Sequence, residues 1–305
     1  TPDGKYIISG SLDNTIKIWD VKTGEYLNTF MGHNDLVNSV ITTPDGKYII
    51  SGSYDYTIKI WDIKTGECLN TLKKSYSSGV NSVAIAHYGK YIISASKDSL
   101  IKIWNIKTGK YLNTFKGHND SVTSVTITPD SKYIVSGSYD NTIKIWDIKT
   151  GKCINTLKGH SRHVEIVKLT SNGKKIVSGS DDNTIMIWDI KTGECLSILN
   201  VHADDTSSIS ITTDDKYIVL GSYDTIFRIL DIKTGKCLNT FEGHNGSVTS
   251  VTITADGKYI VSGSLDNTIK IWDIKTGKCL NTFAGHNNFV NSIITSPDVK
   301  YIIVG

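Results

Sequence analysis

Six tryptophans set a lattice along this chain: Trp19, Trp61, Trp104, Trp146, Trp188 and Trp272, with Leu230 at the one lattice point that lacks an indole. The step is 42 residues, as from Trp146 to Trp188, and the step from Trp61 to Trp104 is one residue longer. A fixed period in the forties describes a supersecondary unit that cannot bury its apolar face alone and must stack on its neighbours. The repeat fills all 305 residues without a linker, so residues 1–305 read as one domain rather than the two that length alone would favour.

Residues 118–159 make a representative unit. Val122, Val125 and Ile127 mark a first strand, Tyr133 to Ser136 a second, Thr142 to Trp146 a strictly alternating third, and Cys153 to Leu157 a fourth. Pro129-Asp130-Ser131, Ser138-Tyr139-Asp140-Asn141 and Lys149-Thr150-Gly151 supply the turns, using residues that tolerate turn geometry or bond their own backbone. Each unit is therefore a four-stranded antiparallel meander without a helix.

Gly-His dipeptides (at His33, His118, His160, His244 and His286) precede units that close with Trp-Asp, with Ser-Gly-Ser-x-Asp between them. This pattern resembles the WD40 repeat, and the resemblance covers the whole chain. It implies an all-β fold, a seven-bladed β-propeller of four-stranded antiparallel blades around a channel. We letter the strands of a blade a to d from the channel outward. The chain then begins at strand b, near Lys5 to Ser9, and the missing strand a of that first blade comes from Phe289 to Ile294, so both termini close one blade. Residues 296–305 repeat residues 1–10 and are one strand b too many. Either they hang loose, or they displace the first ten residues, or the array continues in a longer chain.

Composition narrows the function classes. A formal charge of +3 gives no general drive toward nucleic acid or an acidic surface. No apolar stretch approaches the roughly 18 residues that cross a bilayer as a helix. Cys68, Cys153, Cys195, Cys237 and Cys279 share one place in the repeat, where Tyr26 and Tyr111 stand in the other two units. Stacking holds equivalent positions apart, so they read as free, half-buried thiols, and a reducing, cytoplasmic location is expected.

Five units carry a Ser, His, Asp and Trp set: Ser9, Asp13, Trp19 and His286; His33, Ser51, Asp55 and Trp61; His118, Ser136, Asp140 and Trp146; His160, Ser178, Asp182 and Trp188; His244, Ser262, Asp266 and Trp272. A catalytic triad occurs once and exposes its nucleophile. A set that recurs five times is expected to be structural, and the resemblance implies a buried hydrogen-bond chain. Two units depart. The sixth has Leu220 for the first Ser and Leu230 for Trp, and the third lacks Gly-His and holds the extra residue within Lys73 to Ser78. These two blades are expected to be the loosest. The His and Cys residues show no ligand spacing, and no phosphate loop or nucleophile elbow occurs, so neither catalysis, metal nor cofactor is expected.

Specificity is expected where the units differ. The first such place precedes the turn Asp between strands b and c: Leu12, Tyr54, Lys97, Tyr139, Asp181, Tyr223 and Leu265. The second is the entry to strand a, with Leu36, His163, Asp205 and Phe289, and neighbours Arg162, Glu165 and Asp204. Exposed Leu, Phe and Tyr are the makings of an interface core, so the expected function is a non-catalytic protein-interaction scaffold or sensor module that binds a protein or peptide. The alternative uses the opposite face. Lysines recur there at the c-to-d turns (Lys22, Lys64, Lys107) and after the a-to-b turns (Lys47, Lys90, Lys132), which would suit nucleic acid or another anionic surface. Neighbouring Asp residues and a lack of interleaved aromatics weigh against it.

Overall fold

The computed structural model describes residues 6–20, 23, 25–72, 76–86, 89–201, 206–254 and 256–294. Among these, 28 strands form seven four-stranded antiparallel sheets, the blades of a seven-bladed β-propeller. In blade 4, strand a is Val122–Ile127, b Tyr133–Ser138, c Thr142–Asp147 and d Cys153–Lys158. Blade 1 joins the two ends of the chain: strand a is Val290–Ile294, followed by b Tyr6–Ser11, c Ile16–Asp20 and d Tyr26–Phe30. Ile8 pairs with Ile294 and Ser9 with Ile293. The surplus copy at 296–305 lies outside the described residues.

The core lies between blades. Each apolar cluster takes side chains from two successive blades, as when Ile8, Ile16 and Phe30 of blade 1 meet Val37, Val40 and Trp61 of blade 2. The interface that closes the ring sets Val261, Ile271 and Phe283 of blade 7 against Ile7, Trp19 and Val290 of blade 1. Trp61 stands edge-on to Phe30 at 5.9 Å, and removing such a ring costs about 3–5 kcal/mol. This is why the Trp recurs once per unit. The Gly of Ser-Gly-Ser has a related cause: a Cβ on Gly52 would come within 2.7 Å of Val80 in the next blade.

Strand d has no strand outside it, so one of its sides meets solvent. The five cysteines lie there as free, exposed thiols, which corrects the expectation that they are half-buried. Leu69, Ile154 and Leu238 are exposed beside them.

Candidate partner-binding face and channel

The repeated polar set forms one buried chain in each of the five blades that carry it. In blade 4, His118 Nε2 lies 2.7 Å from Ser136 Oγ, His118 Nδ1 lies 2.8 Å from Asp140 Oδ2, and Trp146 Nε1 donates to Ser136 Oγ at 2.8 Å. The same contacts join His33, Ser51, Asp55 and Trp61 in blade 2, and His160, Ser178, Asp182 and Trp188 in blade 5. They also join His244, Ser262, Asp266 and Trp272 in blade 7. Across the chain ends, His286 meets Ser9 and Asp13, and Trp19 donates to Ser9. It is the first Ser of each Ser-Gly-Ser that takes part.

Burial opposes ionisation of Asp55, but hydrogen bonds from His33, Thr57 and the Asn34 backbone outweigh it and hold the carboxyl well below its usual range. Asp266 is lowered to about 2 against its own burial by Thr268, Asn245 and His244. Burial keeps the imidazoles of His160 and His244 below their ordinary value, against the pull of Asp182 and Asp266. The Ser hydroxyls are fully buried, so none is presented to a substrate.

Blade 3 keeps this chain with a different residue. Tyr76 stands four residues before Val80, as His160 stands four before Val164, and its hydroxyl lies 2.5 Å from Ser94 Oγ while Trp104 donates to the same oxygen at 2.8 Å. The equal spacing to the Val was the sequence signal for this replacement, and it was missed because the inserted residue lies just before it. In blade 6, His202 lies outside the described residues; Arg228 holds Asp224 at 2.6 Å, and Leu220 and Leu230 pack with Leu199 and Val201.

In six of the seven blades the two variable places are one place in space. Leu12 N donates to Phe289 O at 3.0 Å, Tyr54 N to Leu36 O at 3.0 Å, Lys97 N to Gly79 O at 3.0 Å, Tyr139 N to Ser121 O at 2.9 Å, Asp181 N to His163 O at 3.1 Å and Leu265 N to Ser247 O at 2.9 Å. Blades 7, 1 and 2 thus bring Leu265, Leu12, Phe289 and Leu36 to one sector. Phe289 is 38% exposed, whereas the three leucines are half-buried rather than exposed as the sequence reading held.

Blades 3 to 5 bring Lys97, Arg162, His163, Glu165 and Asp181 to the other side, and Tyr223 of blade 6 is exposed at the channel mouth. Lys97 Nζ lies 4.6 Å over the Tyr54 ring, and the Tyr139 ring stacks on His163 at 4.3 Å. Asp204 and Asp205 lie outside the described residues.

Strands a enclose a polar channel of about 420 Å³. Serines on these strands, unassigned by sequence reasoning, tie six of the seven blades to the next. Ser39 Oγ accepts from Val83 N, Ser82 from Val125 N, Ser124 from Val167 N, Ser208 from Val251 N, Ser250 from Ile293 N and Ser292 from Val40 N, all at 3.1–3.3 Å. Blade 5 has Ile166 at this position, which has no hydroxyl to accept a bond. Its Glu165 replaces the Asn, Thr or Ser of other blades, of which Asn38, Asn81, Thr123, Ser207 and Thr249 donate to a carbonyl of the next blade, Thr123 to Val164 O at 2.6 Å. An ionised carboxylate cannot donate. Lys168 of the same strand lines the channel.

On the opposite face the c-to-d turns bond to the a-to-b turns, as Ile148 N does to Lys132 O at 3.0 Å. Lys132 and Lys216 pair with Asp130 and Asp214 of their own turns at 3.3 and 3.1 Å. The sequence reading found no aromatics there. Tyr48, Tyr91 and Tyr133 do stand beside these lysines, but they pack onto the inter-blade clusters.

The WD domain, G-beta repeat model of the WD40 family matches residues 1–20, 24–62, 66–105, 109–147, 151–189, 235–273 and 277–305. The chain belongs to the WD40 repeat family. The stretch between 189 and 235, which holds Leu220 and Leu230, lies outside these matches. WD40 propellers generally serve as protein-interaction scaffolds and are typically non-enzymatic.

Among individual relatives, 38 residues are 50% identical to the nuclear distribution protein PAC1-2 of Postia placenta, covering 12% of this chain and 9% of that protein. Another 30 residues are 53% identical to ribosome assembly protein 4 of Saccharomyces cerevisiae, covering 10% of this chain and 6% of that one. The matches therefore span less than a tenth of either relative. No helix among the described residues is long and apolar enough to cross a membrane.

Proposed function

We propose that this WD40 propeller is a scaffold whose partner, a protein or peptide, docks on the face built by the b-to-c turns and the entries to strand a. The observation that carries the reading is the backbone clamp between the two variable places in six of the seven blades. It turns scattered differences in sequence into a rim of adjacent pairs on a rigid frame. Phe289, Leu12 and Leu36 supply an apolar anchor. The arc from Lys97 to Asp181 sets the orientation of the partner, because charge complementarity fixes register more than it adds affinity.

The test is capture of partners by the intact chain. Replacing Phe289 and Leu36 by Ser is expected to weaken capture at least tenfold with an unchanged melting temperature. Replacing Lys64 and Lys107 by Ala is expected to leave it unchanged. The reverse pattern, with affinity falling steeply as salt rises, would establish the anionic-ligand alternative on the lysine face.

A further inference from the structure

Three of the positions at which the rim of blade 5 differs from other blades supply metal-ligand atoms; a fourth, Arg162, donates from its guanidinium to the Asp181 carbonyl at 3.2 Å, leaving the Asp181 carboxylate to the site. His163 replaces the Ser121 and Ser247 of blades 4 and 7, Glu165 replaces their Thr123 and Thr249, and Asp181 stands where Tyr139 and Leu265 stand. One imidazole nitrogen and one oxygen from each carboxylate lie within 4.8 Å of one another. From these positions we infer that His163, Glu165 and Asp181 form a binding site for a divalent transition-metal ion at the mouth of the channel.

The distances suit such an ion. Bonds of about 2.0–2.1 Å from tetrahedral zinc to nitrogen and oxygen put neighbouring donor atoms roughly 3.3 Å apart. His163 Nδ1 and Asp181 Oδ2 are 3.6 Å apart. The Glu165 carboxylate, within 4.8 Å of both, is the third donor, and three protein ligands are the number that leaves a zinc ion its fourth position for water.

The backbone holds the set in place. Asp181 N is bonded to His163 O at 3.1 Å, and the strand pairing slips between Val164 and Ile166, so Glu165 is the extra residue of a β-bulge, a device that re-aims a side chain. Tyr139 of blade 4 supplies the outer support that metal ligands need. Its ring stacks on His163 at an interplanar angle of 16°, and its hydroxyl hydrogen-bonds Glu165. A nitrogen with two carboxylate oxygens suits a borderline cation such as zinc better than magnesium, which favours oxygen and water.

Isothermal titration of zinc chloride into the full chain tests the site, after the five exposed thiols have been alkylated with iodoacetamide so that they cannot compete. One zinc ion per chain is expected, with no saturable heat from magnesium chloride. His163→Ser and Glu165→Thr each install the residue that blades 4 and 7 carry there, so the fold is retained, which circular dichroism checks. Each is expected to weaken zinc binding at least tenfold. Absence of saturable zinc binding, or binding unchanged in either variant, would overturn the inference.

Discussion

Blades 3 and 6 both depart from the repeated Ser, His, Asp and Trp set, in opposite chemical directions. Blade 3 replaces one polar member by another: the Tyr76 hydroxyl takes the place of an imidazole on Ser94, and Trp104 keeps its acceptor. Blade 6 removes an interacting pair together. The hydroxyl becomes Leu220 and the indole becomes Leu230, and both are fully buried or nearly so. Removing one partner of a buried hydrogen bond leaves the other unsatisfied at about 1–3 kcal/mol, whereas replacing both by apolar groups is close to neutral. Leu for Ser adds volume while Leu for Trp removes it, so the exchange also limits the void between blades 5 and 6. The Ser and Trp that bond each other are thus exchanged together, and loss of either alone is expected to be costly.

Acid is expected to produce the largest effect, and it sharpens the contrast between blades. The carboxyls of Asp55, Asp140 and Asp266 are lowered in the fold, so their stabilisation is full above the unfolded value near 4 and is lost as pH falls through the folded values. The lowered imidazoles of His160 and His244 act with the same sign, beginning below about pH 6.5. Burial keeps the Tyr76 hydroxyl protonated throughout this range. Hydrogen exchange followed from pH 7 to pH 3 should therefore open blades 5 and 7 before blade 3. Simultaneous opening would break the comparison.

Next in size is Leu220→Ser, expected to cost about 3–5 kcal/mol in denaturant unfolding, because it leaves a void and a hydroxyl facing Leu230. Adding Leu230→Trp should recover part of that loss, with a coupling of about 1–3 kcal/mol in the double-mutant cycle. Strict additivity would refute exchange as a unit.

Ser136→Ala in blade 4 strands both Trp146 Nε1 and His118 Nε2 and should cost about 2–4 kcal/mol. Tyr76→Phe in blade 3 removes one hydroxyl and should cost only about 1 kcal/mol, since Ser94 keeps its bond from Trp104. No measurable cost for Tyr76→Phe would mean that Tyr76 is no substitute for the imidazole. Smallest of all is Lys132→Ala, whose exposed pair with Asp130 should move stability by less than about 0.5 kcal/mol.

The four-stranded unit was legible from period and alternation, and the ring with its closure by Val290–Ile294 from the WD40 resemblance carried by the repeated Gly-His and Trp-Asp, together with the count of units. Tyr76 was not, because the inserted residue hid its register. The Ser39 to Ser292 ring was equally periodic, yet its partners lie in the next blade and only the fold brings them near. The convergence of His163, Glu165 and Asp181 was hidden for the same reason: sequence spacing gives no ligand set, and the pairing of strands a and b makes one. The exposure of Cys68 and its equivalents was misjudged because their apolar character was read as half-burial, although they stand at the start of the outermost strand, where no further strand covers them.

The docking face is tested most directly by hydroxyl-radical footprinting of the chain with and without its captured partner, read side chain by side chain. The account predicts that oxidation of Phe289, Leu36 and Tyr223 falls at least threefold in the complex, while Leu69 and Ile154 on the outer strands and Tyr48 and Tyr133 beside the lysines react as before. Protection of Tyr48 and Tyr133 with unchanged oxidation of Phe289 and Leu36 would contradict it.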